Sequence, residues 1–463
     1  MRTARLQNMV LLAASYAVYY WLDARILWLL IAATAFTYLA GWTIDHLLYR
    51  RREKLASIVT TIGVTMLVGL LLTFKYLDFF AAEMVKLLST LGLQATWTTL
   101  HLVLPIGLSF YVFKLISYLV EIHREHIHVE RDAVAFAAYV AFFPTIVAGP
   151  IDRPAQFLPQ LHQPRPLAWD NLIIGGKMLL WGALMKVCIA DALAPMTDRA
   201  WELVNSNGRL TWWAFMMYPM QMYADFSGYS LMAIGVGKML GFTIATNFRQ
   251  PFLARNVAEY WRRWHMSLTS WITDYIFMPL NIRWRNLGKM GQAMAVAVNM
   301  AVIGLWHGAN WTYLLFGLYH AALFLPLIYS GTFGRNKKMK TSQWGLPSAN
   351  DLGKMLLTYM LVAVAFVLFR APDVGTAFAF FGNMASPVLP TVPMVSGSRW
   401  AYLLLIAIVM IWEYVERNQP SPLQLKARGI FQYRWVRYAL YYAVIFLIYT
   451  HSEHTGAFIY AQF

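Results

Sequence analysis

The sequence predicts an all-α polytopic integral membrane protein of about 10–12 transmembrane or re-entrant helices. Three observations lead there. Apolar and aromatic residues fill 59% of the 463 positions and charged residues only 13%, whereas a soluble domain carries about 25% charge to solvate its surface. Mean hydropathy is +0.48, and the apolar residues gather in runs of roughly 15–25, each able to cross about 30 Å of hydrocarbon as a helix. Finally, the sequence holds no internal repeat, low-complexity tract or soluble insertion, so one membrane-embedded domain over residues 1–463 is expected.

The apolar runs fall near 9–22, 26–45, 56–80, 102–120, 133–150, 171–193, 210–241, 290–306, 311–330, 354–370, 399–415 and 438–450. The first is about 14 residues, short for a span, and is expected to lie partly in the interface. Lys and Arg outnumber Asp and Glu by 38 to 22, a net charge of +16. On a chain of membrane spans this excess marks cytoplasmic loops rather than nucleic-acid binding. It places Arg50, Arg51, Arg52 and Lys54, then Arg335, Lys337, Lys338 and Lys340, then Lys426, Arg428, Arg434 and Arg437 in the cytoplasm. The polar stretch 242–289, rich in arginine, is assigned to the same side. Parity then requires 133–150 to re-enter without crossing and 210–241 to cross once despite a break around Asp225 to Gly228. This layout leaves the C-terminus outside.

Two segments read as interrupted. Phe142 to Pro150 has a proline near each end, and broken backbone at membrane depth survives only against protein or a water-filled cavity. Glu259 to Leu280 mixes Trp261, Trp264, Trp271 and Tyr275 with Arg262, Arg263 and His265, a pattern suited to the interface or to a helix folded back into protein. The single cysteine, Cys188, excludes an internal disulfide and a cysteine metal site. No cleavable signal peptide stands out.

Ionisable groups inside apolar segments are the informative ones, because burying them is costly. His307, in Gly304-Leu305-Trp306-His307-Gly308-Ala309-Asn310-Trp311, fits a hydrogen-bonded structural residue. Spacing alone favours that reading; the functional one is a general base that takes a proton from an attacking hydroxyl, with Gly308 leaving room beside the ring. His265, in Trp261-Arg262-Arg263-Trp264-His265, fits an interface anchor, or a site where neighbouring guanidinium groups bind a phosphate-bearing donor. Asp225, in Asp225-Phe226-Ser227-Gly228-Tyr229, is a third intramembrane charge and suits a bond to broken-helix backbone. His123, His126 and His128 sit among glutamates, but their spacing fits no metal-binding helix. No metal site is expected.

The run Leu305 to Trp311, followed by Phe316-Gly317-Leu318-Tyr319-His320, resembles the signature of the membrane-bound O-acyltransferase family, and within it the alginate O-acetyltransferase branch. Leu104 to Phe110, Ala148 to Arg153, Tyr223 to Tyr229, Trp261 to Leu268, Phe369-Arg370-Ala371 and the closing Phe458 to Phe463 agree, in order, from about residue 100 to the end. The resemblance implies a helical fold around a central tunnel with two histidines near its middle. His307 matches the membrane-embedded catalytic histidine and His265 the second, cytoplasmic-side one. Asp225 and Arg263 match family motifs, and Arg262, Trp306 and Asn310 join them as candidate substrate-binding residues.

The activity so implied moves an acyl group, acetyl first, from a cytoplasmic thioester such as acetyl-coenzyme A towards an extracytoplasmic polysaccharide. No cofactor stays bound; the thioester is a substrate. The expected partners are the lipid bilayer and a separate extracytoplasmic acetyltransferase or polysaccharide-export protein, and the expected location is a bacterial inner membrane. Direct transfer and a covalent acyl-enzyme relay both remain open. So do peptidoglycan O-acetylation, teichoic-acid D-alanylation, and a non-catalytic transporter of an acylated substrate.

Overall fold

The computed structural model describes residues 3–22, 24–93, 104–202, 208–335, 345–385, 398–419, 421–424 and 429–452. Lys337, Lys338, Lys340, Lys426, Arg428 and the closing Phe458 to Phe463 lie outside the described residues. Regular structure among the described residues is helical, with no strand. The chain packs as two compact units, Met1–Asn171 with Gly237–Ala245, and Leu172–Val236 with Thr246–Phe463.

The first unit contains α1 (Ala4–Leu22), α2 (Ala24–Tyr49), α3 (Glu53–Thr90), α4 (Leu108–His123), α5 (Ala133–Val140), α6 (Phe143–Ile146) and α7 (Pro154–Leu161). α1 is longer than its apolar run because the polar residues before the run are used as anchors. Gln7 Nε2 donates to Arg165 O at 3.0 Å and Asn8 Nδ2 to Leu161 O at 2.9 Å. α4 is buried almost all round, Lys114 included, and the Lys114 ammonium donates to Tyr139 O and to Thr145 Oγ1 at 3.3 and 3.2 Å. These bonds serve the interruption expected over Phe142 to Pro150, where α5 ends, α6 makes one turn and the chain runs irregularly to Pro150. Ser15 Oγ accepts from the Phe143 N–H at 3.2 Å, so protein takes up groups the broken helix leaves open. Gly107 meets this turn with φ +75°, and a Cβ there would stand 2.1 Å from Ile146 O.

In the second unit α8 (Trp169–Ala183) continues through a π-helical stretch, Leu184–Ala190, into α9 (Asp191–Glu202). α10 (Gly208–Met239) follows and is unbroken, which corrects the break expected around Asp225 to Gly228. The glycine there serves packing: a Cβ on Gly228 would lie 2.7 Å from Gly182 O, and one on Gly235 2.7 Å from Gly175 O. Backbones in such contact need no side chain between them. The segment that follows is cut into α11 (Val257–Trp261), α12 (Met266–Ile272), a π-helical turn over Thr273–Phe277 and α13 (Met278–Arg283). Tyr260, Trp261, Trp264, Leu268 and Trp271 are buried, so this aromatic stretch folds back into protein rather than lying on an interface.

The unit is completed by α14 (Gly288–His307), α15 (Trp311–Tyr329), α16 (Ala349–Arg370), α17 (Val374–Met384), α18 (Ser398–Val415) and α19 (Arg434–His451). α14 and α15 form an antiparallel hairpin pressed together at Gly304 and Gly317, where an added Cβ would lie 2.2 Å from Tyr313 O and Met300 O respectively. Asn310 starts α15 as its N-cap, accepting from the Thr312 N–H at 3.1 Å, a placement that satisfies an otherwise open helix donor. At the opposite end Lys289 Nζ donates to Tyr329 O at 2.7 Å. Among the described residues, six helical stretches are long and apolar enough to cross a bilayer: 24–49, 53–90, 169–202, 285–307, 311–329 and 349–370. The chain is a multi-pass membrane protein.

Gly317→Ala forces a Cβ onto Met300 O, whereas a Cβ on Gly353 meets nothing within 4 Å. Gly317→Ala is expected to lower the thermal midpoint of the detergent-solubilised protein by several degrees, read by size-exclusion chromatography after heating. Gly353→Ala is expected to leave it unchanged or raise it slightly, since alanine is the better helix former.

Candidate active site

The two histidines marked by the sequence come together around one indole. His307 is the last residue of α14 and is 3% exposed. Its ring is boxed by Phe369 at 5.0 Å, Phe316 at 5.9 Å and Tyr313 at 6.5 Å between centroids. Gly308 lets Tyr313 close on this corner, since a Cβ there would stand 2.3 Å from the Tyr313 ring. Trp306 lies edge-on to the His307 ring at 5.0 Å and to the His265 ring at 5.6 Å.

His265 is fully buried and takes φ +43°, ψ +51° at the start of α12. A left-handed backbone at a residue with a Cβ costs about 1–3 kcal/mol and points to a functional constraint. What holds it is a short pairing with the segment that runs from Asn247 to Arg249. Arg249 N donates to Arg263 O at 3.0 Å and Met266 N to Asn247 O at 2.8 Å. The Asn247 side chain adds to this: its Oδ1 lies 3.1 Å from His265 Nδ1 and accepts from Ser267 Oγ at 2.7 Å. Its Nδ2 donates to Ser230 Oγ on α10 at 3.1 Å. His265 lies outside the candidate spans, and burial pushes its imidazole down to about 3, so the ring is neutral near pH 7.

Beside this junction is a cavity of about 310 Å³ whose wall includes Tyr223, Ser227, Asn247, Gln250 and Met266. Glu413 and Glu416 also line it, and Glu413 accepts from the Tyr223 hydroxyl at 2.6 Å. Arg249 belongs to the same wall and is exposed. The cavity is therefore acidic and hydroxyl-rich inside, with a cation at its margin.

The remaining sequence candidates are placed as follows. Asp225 is fully buried and bonded to Lys186 Nζ at 2.8 Å, while the same ammonium meets Asp191 at 2.7 Å. The π-helical stretch carries Lys186. Arg263 donates to Glu259 Oε1 at 2.9 Å and to Arg249 O at 3.2 Å, and so ties the segment that bears His265. Arg262 is exposed. Asn310 caps α15 and donates to Pro372 O at 2.7 Å, fastening the His307 corner to the end of α16. Sequence reasoning passed over Asn247, Lys186 and Glu413. The last two are ionisable residues inside apolar runs and carried the same signal as Asp225; Asn247 carried none.

Lys186→Met leaves two buried carboxylates without their cation, a loss that costs about 3–5 kcal/mol in buried pairs. The variant is expected to show a clearly lower melting point in detergent, and Lys186→Met combined with Asp225→Asn is expected to recover part of it.

With this geometry in hand, the comparisons with known proteins agree. The profile of the membrane-bound O-acyltransferase family matches residues 61–369. The "Probable alginate O-acetylase AlgI" of Azotobacter vinelandii is 35% identical over 83% of this chain and 73% of its own length. The protein of the same name from Pseudomonas aeruginosa is 34% identical over 91% of this chain and 79% of its own. A peptidoglycan O-acetyltransferase of Helicobacter pylori is 28% identical over 81% and 73%. The chain belongs to the membrane-bound O-acyltransferase family and is an O-acyltransferase.

Proposed function

We propose that this enzyme takes an acetyl group from a cytoplasmic thioester, acetyl-coenzyme A, and passes it towards an exported polysaccharide of the alginate kind in a bacterial inner membrane. The observation that carries the reading is that His265 and His307 both meet the Trp306 ring, and that Asn247, bonded to His265, lines a cavity of about 310 Å³. The relatives' names support the choice of acetyl and of alginate over other acyl groups and acceptors.

The ends of the second unit support this direction. Lys289 stands at one end of α14 and His307 at the other, and basic residues collect on the cytoplasmic side of membrane proteins. The donor's neutral, amide-bearing arm enters the cavity past Asn247 and Gln250. Its phosphates stay outside on Arg249 and Arg262, which are exposed. A hydroxyl reaches His307 from the far side. In the transfer His307 takes the hydroxyl proton while the oxygen bonds the thioester carbonyl carbon. The C–S bond then breaks, and the departing thiolate takes the proton back from the imidazolium. A separate extracytoplasmic acetyltransferase or export protein receives the acetyl group where the polymer itself does not reach His307.

General-base removal costs about 10²–10⁴ in rate. A deletion strain complemented with His307→Ala at wild-type membrane levels is therefore expected to lack alkali-labile acetate on its exported polysaccharide. Loss of acetate from the wall fraction instead would transfer the acceptor to peptidoglycan, and loss of D-alanine esters would transfer the activity to D-alanylation. Unchanged esters in every fraction would overturn the proposal.

A further inference from the structure

We infer that Asn247 is a positioning residue that locks His265 in the tautomer with its proton on Nδ1, so that Nε2 faces the reaction as a hydrogen-bond acceptor. Atom identities follow from the donors around the carboxamide. A backbone N–H can only donate, and Ser267 N lies 3.3 Å from the Asn247 side-chain atom that Ser267 Oγ also reaches at 2.7 Å. That atom is therefore the oxygen, and the nitrogen is the atom bonded to Ser230 Oγ at 3.1 Å. An oxygen that meets His265 Nδ1 at 3.1 Å can bond it only if Nδ1 carries the hydrogen. In a neutral ring the second nitrogen then holds a lone pair.

The ring has little freedom to escape this arrangement. Phe226 lies edge-on at 4.7 Å and Trp306 at 5.6 Å, and the residue itself is held at φ +43°. The titratable groups on the elements packed around it are engaged elsewhere or belong to the reaction. Asp225 of α10 is held by Lys186, Tyr223 of α10 by Glu413, and Glu259 on its own segment by Arg255 and Arg263. His307 stands beyond Trp306 on α14. The consequence for catalysis rests on the acyl-transfer reading: His265 receives an O–H or N–H from a substrate and gives none to the carbonyl oxygen.

The test is nitrogen-15 NMR on histidine-labelled full-length protein in lipid vesicles, with the His265→Gln spectrum subtracted. The difference signal is expected to be that of a neutral ring protonated at Nδ1. Asn247→Leu is expected to shift it towards the other tautomer and to lower kcat by about 10–100-fold, the range for partners that orient a histidine. Asn247→Asp keeps the acceptor but adds a negative charge, which favours imidazolium. It is expected to give the kcat profile a new acid limb, with activity returning as pH rises, and adding His265→Gln removes that limb. A wild-type signal from a ring protonated at Nε2 overturns the inference, as does a folded Asn247→Asp with an unaltered signal and pH profile. The difference between the wild-type and His265→Gln spectra decides the tautomer even where an Asn247 variant fails to fold. A protein with the expected spectrum and no thioester cleavage would sink the proposed function alone.

Discussion

The second unit depends on one buried cluster of charge. Lys186 sits between Asp191 and Asp225 in an apolar surround, and an ion there is tolerated only with its counter-ions in place. The cluster can form because Gly182 and Gly228 bring two helix backbones into contact, and because the π-helical stretch carries the lysine. Once α10 is held this way, the residues around Asp225 shape the candidate site. Phe226 packs on His265, Ser230 receives Asn247, and Tyr223 meets Glu413 in the cavity wall. The helix that carries this charge pairing thus also carries the residues that surround His265.

The two histidines sit in different settings. His307 ends a long helix and is packed by three aromatic rings at a glycine corner. His265 lies between short helices in a strained conformation and owes its place to hydrogen bonds from a neighbouring segment. A helix end gives precision at low cost. A left-handed residue turns a side chain inward where no regular element could, and persists only because several bonds over-determine it. The tryptophan between them belongs to the helix and keeps both rings at contact distance.

Much of this was legible in the sequence. Apolar runs report helices because the bilayer allows little else, and the interruption at Phe142 to Pro150 was announced by its prolines. His307 stood out as an ionisable residue between apolar runs. Asp225 to Gly228 misled: a charge and a glycine in an apolar run look like a break. Here the charge has a partner on α8's continuation and the glycine is a contact, so the helix runs through. The polar start of α1 carries the helix beyond its apolar run, because Gln7 and Asn8 anchor it.

Composition and run length settle the solvent and the helical class, and the two histidines are marked by motifs that resemble the family's. Tertiary structure alone decided that Trp306 joins the histidines, that Lys186 neutralises Asp225 and that Asn247 orients His265. Each of these is a contact between residues distant in the chain, and no local periodicity records which side chains will meet. The tautomer of a histidine is the extreme case, because it depends on a single acceptor atom supplied from another segment.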